Sequence, residues 1–185
     1  MKPIIGVLAL QGCVQPHKPH IEAAGGIFQP VKNATQIMQA DALILPGGES
    51  TTMIRLLKQF DVWDSLYQAM QQKPTWGICA GAILMAKHVS NPTQDSFGVI
   101  DISVTRNGYG RQLDSIVENI DGYPVSYIRA PIFEVENPDL IIKSTRDESP
   151  TWIIQGDKMV TSFHPELTPL YPSPMHSYFV QSINQ

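Results

Sequence analysis

The sequence is poor in cysteine, with only Cys13 and Cys79 in 185 residues. Two isolated thiols make neither a disulfide framework nor a zinc site. Charge is also sparse, at 16 % Asp, Glu, Lys and Arg. The net charge is −4 and no basic stripe interrupts it, which speaks against nucleic-acid binding. No apolar run is long enough to span a bilayer. The N-terminal "MKPIIGVLALQG" is too short for that, reads as a strand ending in a turn, and lacks the length and cleavage site of a signal peptide. A cytoplasmic protein without membrane contact is therefore expected. There is no Gly-x-x-x-x-Gly-Lys phosphate loop to support a nucleotide site, and no internal repeat, low-complexity tract or interdomain linker. With 43 % hydrophobic residues, one domain over residues 1–185 with a sizeable core is expected.

Strand and helix signals alternate through the first half. Ile4 to Leu10 and "DALIL" are continuous apolar runs suited to strands buried on both faces, and Ile27 to Val31 and "TWGIC" are further strands. Between them, "PHIEAAGG", "ATQIMQA", "STTMIRLLKQF" and "DVWDSLYQAMQQ" read as helices, the first ended by Gly25-Gly26 and the last opened by Asp61 as N-cap. That order implies an α/β fold in three layers, a mostly parallel sheet with helices on both faces. From Val99 the pattern changes to short strands and turns. Gly156-Asp157 marks a hairpin, and a helix from about Met175 to Ile183 closes the chain. Ligands of such sheets bind beyond the carboxyl ends of the strands. Gln11-Gly12, Gly47-Gly48-Glu49-Ser50 and Cys79 all fall there.

Cys79 lies in Gly77-x-Cys79-x-Gly81, between a strand and an apolar, alanine-rich run with helical character. A nucleophile on so sharp a turn is held away from the backbone, as in Gly-x-Ser-x-Gly hydrolases. The N–H groups of the helix beginning at Ala80 favour a thiolate and an oxyanion. The same pattern also fits a buried structural cysteine between helix-packing glycines. Of five histidines, His17, His20, His88 and His176 read as ordinary surface-like helix residues. His164 differs: "TSFHPEL" follows a strand, and Glu166 stands two residues on, in an exposed turn, where its carboxylate can orient the imidazole. In "LPGGEST" the double glycine lets backbone N–H groups approach a substrate, or makes a plain turn capped by Ser50. No metal-ligand cluster is legible, and neither metal nor cofactor is expected.

Taken in order, "LALQG", "LILPGGESTTM", "GICAG", "TRNGYGRQ", "IRAP" and "SFHPEL" resemble the glutaminase subunits of pyridoxal 5′-phosphate synthase. These are flavodoxin-like class I (triad-type) glutamine amidotransferases, and the resemblance covers nearly the whole chain. It implies hydrolysis of L-glutamine to glutamate and ammonia through a glutamyl thioester. The ammonia passes to a barrel-shaped synthase subunit in a large hetero-oligomer, which builds pyridoxal phosphate from a pentose phosphate and a triose phosphate. By the same resemblance, Cys79 is the nucleophile, His164 the general base and acid, and Glu166 its orienter. Gly48, Glu49, Ser50, Arg106, Ile128 and Arg129 are glutamine contacts. The oxyanion donors are N–H groups of Gly47, Gly48 and Ala80, and Gln11 faces the partner. Without the resemblance, Arg106 and Arg129 read as solvated charges and Gln11 as a turn cap.

The chain departs from the pattern in places. Ile78 stands where a threonine is usual, and Gly108 and Tyr109 replace Ser and Phe of the usual Asn-Ser-Phe-Gly-Arg-Gln. Gln15-Pro16 replaces a charged pair in the segment expected to touch the synthase. The connection from Asp114 to Ser126 looks short. Cys13 replaces a common alanine and reads as a small packing residue. Two other functions share these features: a stand-alone cysteine hydrolase, which would not need the glutamine-contact segments, and a silent binding subunit, which would be expected to have lost a triad member.

Overall fold

The computed structural model describes residues 1–108 and 116–183. The first half alternates β1 (Ile4–Leu8), α1 (His17–Ala23), β2 (Ile27–Val31), α2 (Ala34–Gln39), β3 (Ala42–Leu45), α3 (Ser50–Gln59), α4 (Trp63–Gln72), β4 (Thr75–Ile78) and α5 (Ala80–Met85). It continues with β5 (Ala86–Ser90), β6 (Ile100–Thr105), β7 (Ile116–Ile120), β8 (Tyr123–Tyr127), β9 (Ile132–Val135), β10 (Ile141–Arg146), β11 (Ser149–Gln155), β12 (Lys158–Thr161) and α6 (Pro174–Ser182). A seven-stranded sheet runs β10-β11-β12-β4-β3-β1-β2. Its five strands from β12 to β2 are parallel, whereas β11 pairs antiparallel with both β12 and β10. Gly156 (φ 58°) and Asp157 form the two-residue turn between β11 and β12, since Gln155 pairs with Lys158.

The central strands bury both faces because side chains alternate across a sheet. Leu43 and Leu45 of β3 face a core with Ile37 of α2, Met53 and Leu57 of α3, Leu66 of α4 and Leu84 of α5. Ala42 and Ile44 of β3, with Trp76 and Ile78 of β4, face the other side, against Ile21 of α1 and Met175 and Phe179 of α6. The expected three layers are therefore present.

Local chemistry sets the helix starts. The Asn33 side chain accepts from Gln36 N–H at 2.9 Å and opens α2. Ser173 accepts from His176 N–H at 3.1 Å ahead of Pro174 and opens α6. Asp61, expected to cap α4, instead occupies the turn before it with φ 54°, and Val62 stands at the cap. The cause is that Phe60, Asp61 and Val62 N–H groups all bond back to the end of α3, so the chain is still leaving one helix there. Ser50 is not a cap either: it is the first residue of α3, and the Glu49 carboxylate takes that role. The apolar run after Cys79 supports only six helical residues before passing directly into β5, which pairs parallel with β6. Positions 109–112 of the Arg106–Gln112 motif, and Asp114, lie outside the described residues.

Candidate active site

Four strand ends converge on one crevice. Cys79 directly follows β4, and its N–H donates to Thr161 O at 2.8 Å, extending the ladder to the thiol-bearing residue. Its backbone (φ 48°, ψ −101°) is one that side-chain-bearing residues rarely adopt, a form of strain typical of functional turns. The flanking glycines have a steric cause. A Cβ on Gly77 would strike the Gly81 backbone and Met85 Sδ, and one on Gly81 would strike Leu45 O. Only this pair lets α5 cross so close over β3 and β4.

His164 follows β12. Its N–H donates to Ser126 O at 2.8 Å, and Pro165 opens a 3₁₀ turn, Pro165–Leu167, that returns Glu166 toward the ring. His164 Nδ1 and Glu166 Oε1 lie 2.7 Å apart. The Tyr123 hydroxyl donates to Leu170 O at 2.9 Å and ties the turn down. Glu166 is only 3 % exposed, so it is not the exposed acid its position in a turn suggested. Burial opposes charging of His164, but Glu166 and then Cys79 outweigh it and hold its pKa well above the usual histidine value. Burial likewise works against the Glu166 carboxylate, yet its pKa is lowered by His164. Both shifts favour the charged pair, imidazolium and carboxylate.

The loop after β3 closes the other wall. Any Cβ on Gly47 would run into the His164 ring, and one on Gly48 into the Gln11 amide. Glu49 N–H donates to Gln11 Oε1 at 3.0 Å, and Cys13 N–H donates to Gly47 O at 2.9 Å, so the β1 and β3 loops are laced together. The Glu49 carboxylate accepts from Thr51 N–H at 3.2 Å and Thr52 N–H at 2.6 Å. Partial burial raises its pKa, but the bonds from Thr52 and Thr51 prevail and lower it. Arg106 donates to Thr51 Oγ1 at 3.2 Å and sits 3.7 Å from Glu49. Ser50 Oγ donates to Gln94 Oε1 at 2.9 Å. Ile128 O lies 4.0 Å from Cys79 Sγ, and Arg129 follows with φ 45°.

These groups enclose a cavity of about 280 Å³. Gln11, Gly48, Glu49, Ser50, Cys79, Ala80, Arg106, Ile128, Arg129 and His164 all line it, while Glu166 stands behind His164 and Gly47 packs on its ring. Ile83, Leu167, Asn107 and Cys13 also line it and were not expected. Cys13, read from the sequence as a small packing residue, is partly buried and lines the cavity. It sits two positions after Gln11 in a loop at a strand's carboxyl end, and that position was the legible signal.

The other histidines correct the sequence reading. His17, His20 and His176 are fully buried, and His88 lies exposed on a strand, β5. His17 Nδ1 and His176 Nε2 are 2.8 Å apart, His20 stacks on His176, and Ser173 Oγ lies 2.6 Å from His176 Nδ1. Packing of α1 on α6 brings them together across 159 residues. Burial lowers the pKa of all three, that of His17 to about 4. An unfolded chain binds a proton at His17 below about 6.5 that the native state refuses, so stability falls as pH drops from about 6.5 toward 4, by on the order of 3 kcal/mol for His17. His164 acts in the opposite sense: its contribution is full below its unfolded pKa and is lost as pH rises through the raised folded value. Urea unfolding across pH 4–6.5 should show a smaller loss in His17→Gln than in the parent. Equal losses would show that His17 is not kept neutral.

Comparison with known proteins gives concordant matches. The model of the SNO glutamine amidotransferase family matches residues 7–185. A protein of Kosmotoga olearia named pyridoxal 5'-phosphate synthase subunit PdxT is 42 % identical over 188 residues, covering 97 % of each chain. Proteins of the same name from Solibacter usitatus and Fervidobacterium nodosum are 41 % and 40 % identical, covering 97 % and 98 % of this chain and 98 % of their own. A solved structure described as a glutamine amidotransferase superposes with a TM-score of 0.86 at 33 % identity, covering 98 % of this chain and 99 % of its own.

Proposed function

The chain belongs to the SNO glutamine amidotransferase family, and from that premise we propose that it is the glutaminase subunit of a pyridoxal 5′-phosphate synthase. It hydrolyses L-glutamine and delivers ammonia to a synthase subunit for vitamin B6 synthesis. Residues 1–185 act as one glutaminase domain, in the cytoplasm, within a hetero-oligomer with the barrel-shaped synthase. The observation that carries the catalytic assignment is the 2.7 Å contact between buried His164 and Glu166, with Cys79 on a strained turn at the same cavity.

The geometry supports the following course. Cys79 sulfur attacks the side-chain amide carbon of glutamine. The carbonyl oxygen becomes an oxyanion, with the N–H groups of Ala80 and of the Gly47-Gly48 turn as its donors. His164 gives its proton to the leaving nitrogen, ammonia departs and a glutamyl thioester remains. His164 then takes a proton from water, the water oxygen attacks the thioester carbon, the C–S bond breaks to return the Cys79 sulfur, and glutamate leaves. Glu166 keeps the imidazole in one orientation and stabilises its charge throughout. The direct test is to mix the protein with a synthase subunit and follow glutamine-dependent pyridoxal phosphate formation. Formation from free ammonia but not from glutamine would refute the assignment.

The synthase should also control the rate. Ammonia released to solvent is mostly protonated and no longer nucleophilic, so hydrolysis is useful only when the partner is docked. Gln11 is placed to transmit docking, since its amide holds the Glu49 N–H and abuts Gly48. Turning one oxyanion donor away costs roughly 10²–10³-fold in kcat. The isolated chain should therefore be a weak glutaminase that saturating synthase accelerates. Gln11→Lys should impair that acceleration more than it impairs folding. Equal glutamate production with and without synthase would exclude gating while leaving the triad assignment standing.

A further inference from the structure

Cys13 is a reactive group in the cavity that the reaction does not use. Cys13 is half-buried and lines the cavity that also holds Cys79 and His164, and its N–H is anchored to Gly47 O at 2.9 Å. We propose that Cys13 is a resolving thiol, forming a reversible disulfide with oxidised Cys79 that switches the nucleophile off. The proposal rests on the reading of Cys79 as nucleophile.

The two thiols have different roles because their surroundings differ. Cys79 shares the cavity with His164, whose pKa it helps to raise. Cys13 is kept as a thiol, since burial and then the Glu166 charge raise its pKa, while it remains within electrostatic reach of Cys79 and His164. The oxidant is a hydroperoxide, of which hydrogen peroxide is the simplest. Cys79 thiolate attacks one peroxide oxygen, the O–O bond breaks, and the hydroxide released takes the His164 proton to become water. Cys79 is now a sulfenic acid and His164 is neutral. Cys13 sulfur then attacks Cys79 sulfur, passing its proton to His164. The S–O bond breaks as the S–S bond forms, and the departing hydroxide recovers that proton as a second water. In sum, two thiols lose two electrons and two protons, and the peroxide is reduced to two waters.

The bond needs the two Cβ atoms about 3.8 Å apart, and the Gly12-Cys13 turn places Cys13 in the wall of the cavity it shares with Cys79. Gly12, at φ 103°, supplies a backbone position that tolerates such a turn. A disulfide also stops Cys79 from advancing to sulfinic acid, which thiols cannot reverse. Intracellular disulfides of this kind are transient and sensing rather than structural.

The test compares the parent protein with Cys13→Ser, each against its own untreated rate of glutamate production. After hydrogen peroxide the parent should lose activity and become lighter by two hydrogen atoms. Peptide mapping should join the Cys13 and Cys79 peptides, and dithiothreitol should restore most of the starting rate. Cys13→Ser should instead gain oxygen atoms and recover less than about a tenth of its rate. The switch is overturned if the parent gains oxygen without a joined peptide, or recovers no better than Cys13→Ser. A joined peptide in a protein that keeps its rate would overturn both the switch and the assignment of Cys79, so the two failures are distinguishable.

Discussion

Cys79→Ala is expected to lower glutamine hydrolysis by roughly 10⁵–10⁶-fold, because nucleophile and base act as a unit and His164 has nothing to activate once the sulfur is gone. The fold and synthase binding should survive, since alanine removes a single sulfur atom from a side chain that lines a cavity. Stability supplies a second reading of the same position. Alanine keeps a Cβ on a backbone at φ 48°, whereas glycine removes the clash. Cys79→Gly should therefore be equally inactive but about 1 kcal/mol more stable than Cys79→Ala in urea unfolding. Equal stability of the two variants would show that the turn carries no such strain. Retained hydrolysis in Cys79→Ala would remove Cys79 from the mechanism altogether.

Glu166→Gln is expected to lower hydrolysis by about 10⁴-fold, the size of effect seen when a triad carboxylate becomes an amide. The amide fits the same space but cannot stabilise an imidazolium, and it can present an N–H to His164 Nδ1 and so select the wrong tautomer. Glu166 is the first group that raises the His164 pKa against the effect of burial. Its loss should move that pKa down, and the pH dependence of Cys79 alkylation by a glutamine-like electrophile should shift with it. Because Glu166 is buried and not turn-exposed, some loss of stability should accompany the loss of activity. An unchanged alkylation profile would mean that another group orients His164.

Much of this architecture was legible in the chain. Apolar runs such as "ALIL" bury both faces and so must be interior strands, and their alternation with amphipathic helices leaves few arrangements but a parallel sheet. The elbow was legible because its glycines answer to local sterics: Gly77 and Gly81 have no room for a Cβ. His164 and Glu166 were legible because a proline and a two-residue spacing bring carboxylate and imidazole together within one turn. Helix boundaries were less so. Asp61 has the chemistry of an N-cap, but the N–H groups of residues 60–62 were already committed to α3.

What the sequence by itself determined is whatever depends on neighbours within a few residues: the strands, the elbow, the His-Pro-Glu turn and, through its motifs, the family. Only the tertiary structure decided the rest. Nothing local to His17 or His176 indicates burial, because their environment is made by helices at opposite ends of the chain packing on Trp76. Nothing local to Cys13 brings it to the nucleophile's cavity. That follows from β1 and β4 flanking β3 in the sheet, so that their carboxyl ends open on one crevice. The Gln11 bond to Glu49 spans 38 residues for the same reason. Strand order is set by which buried faces pack together across the whole domain, a property of the collapsed chain that no short segment contains.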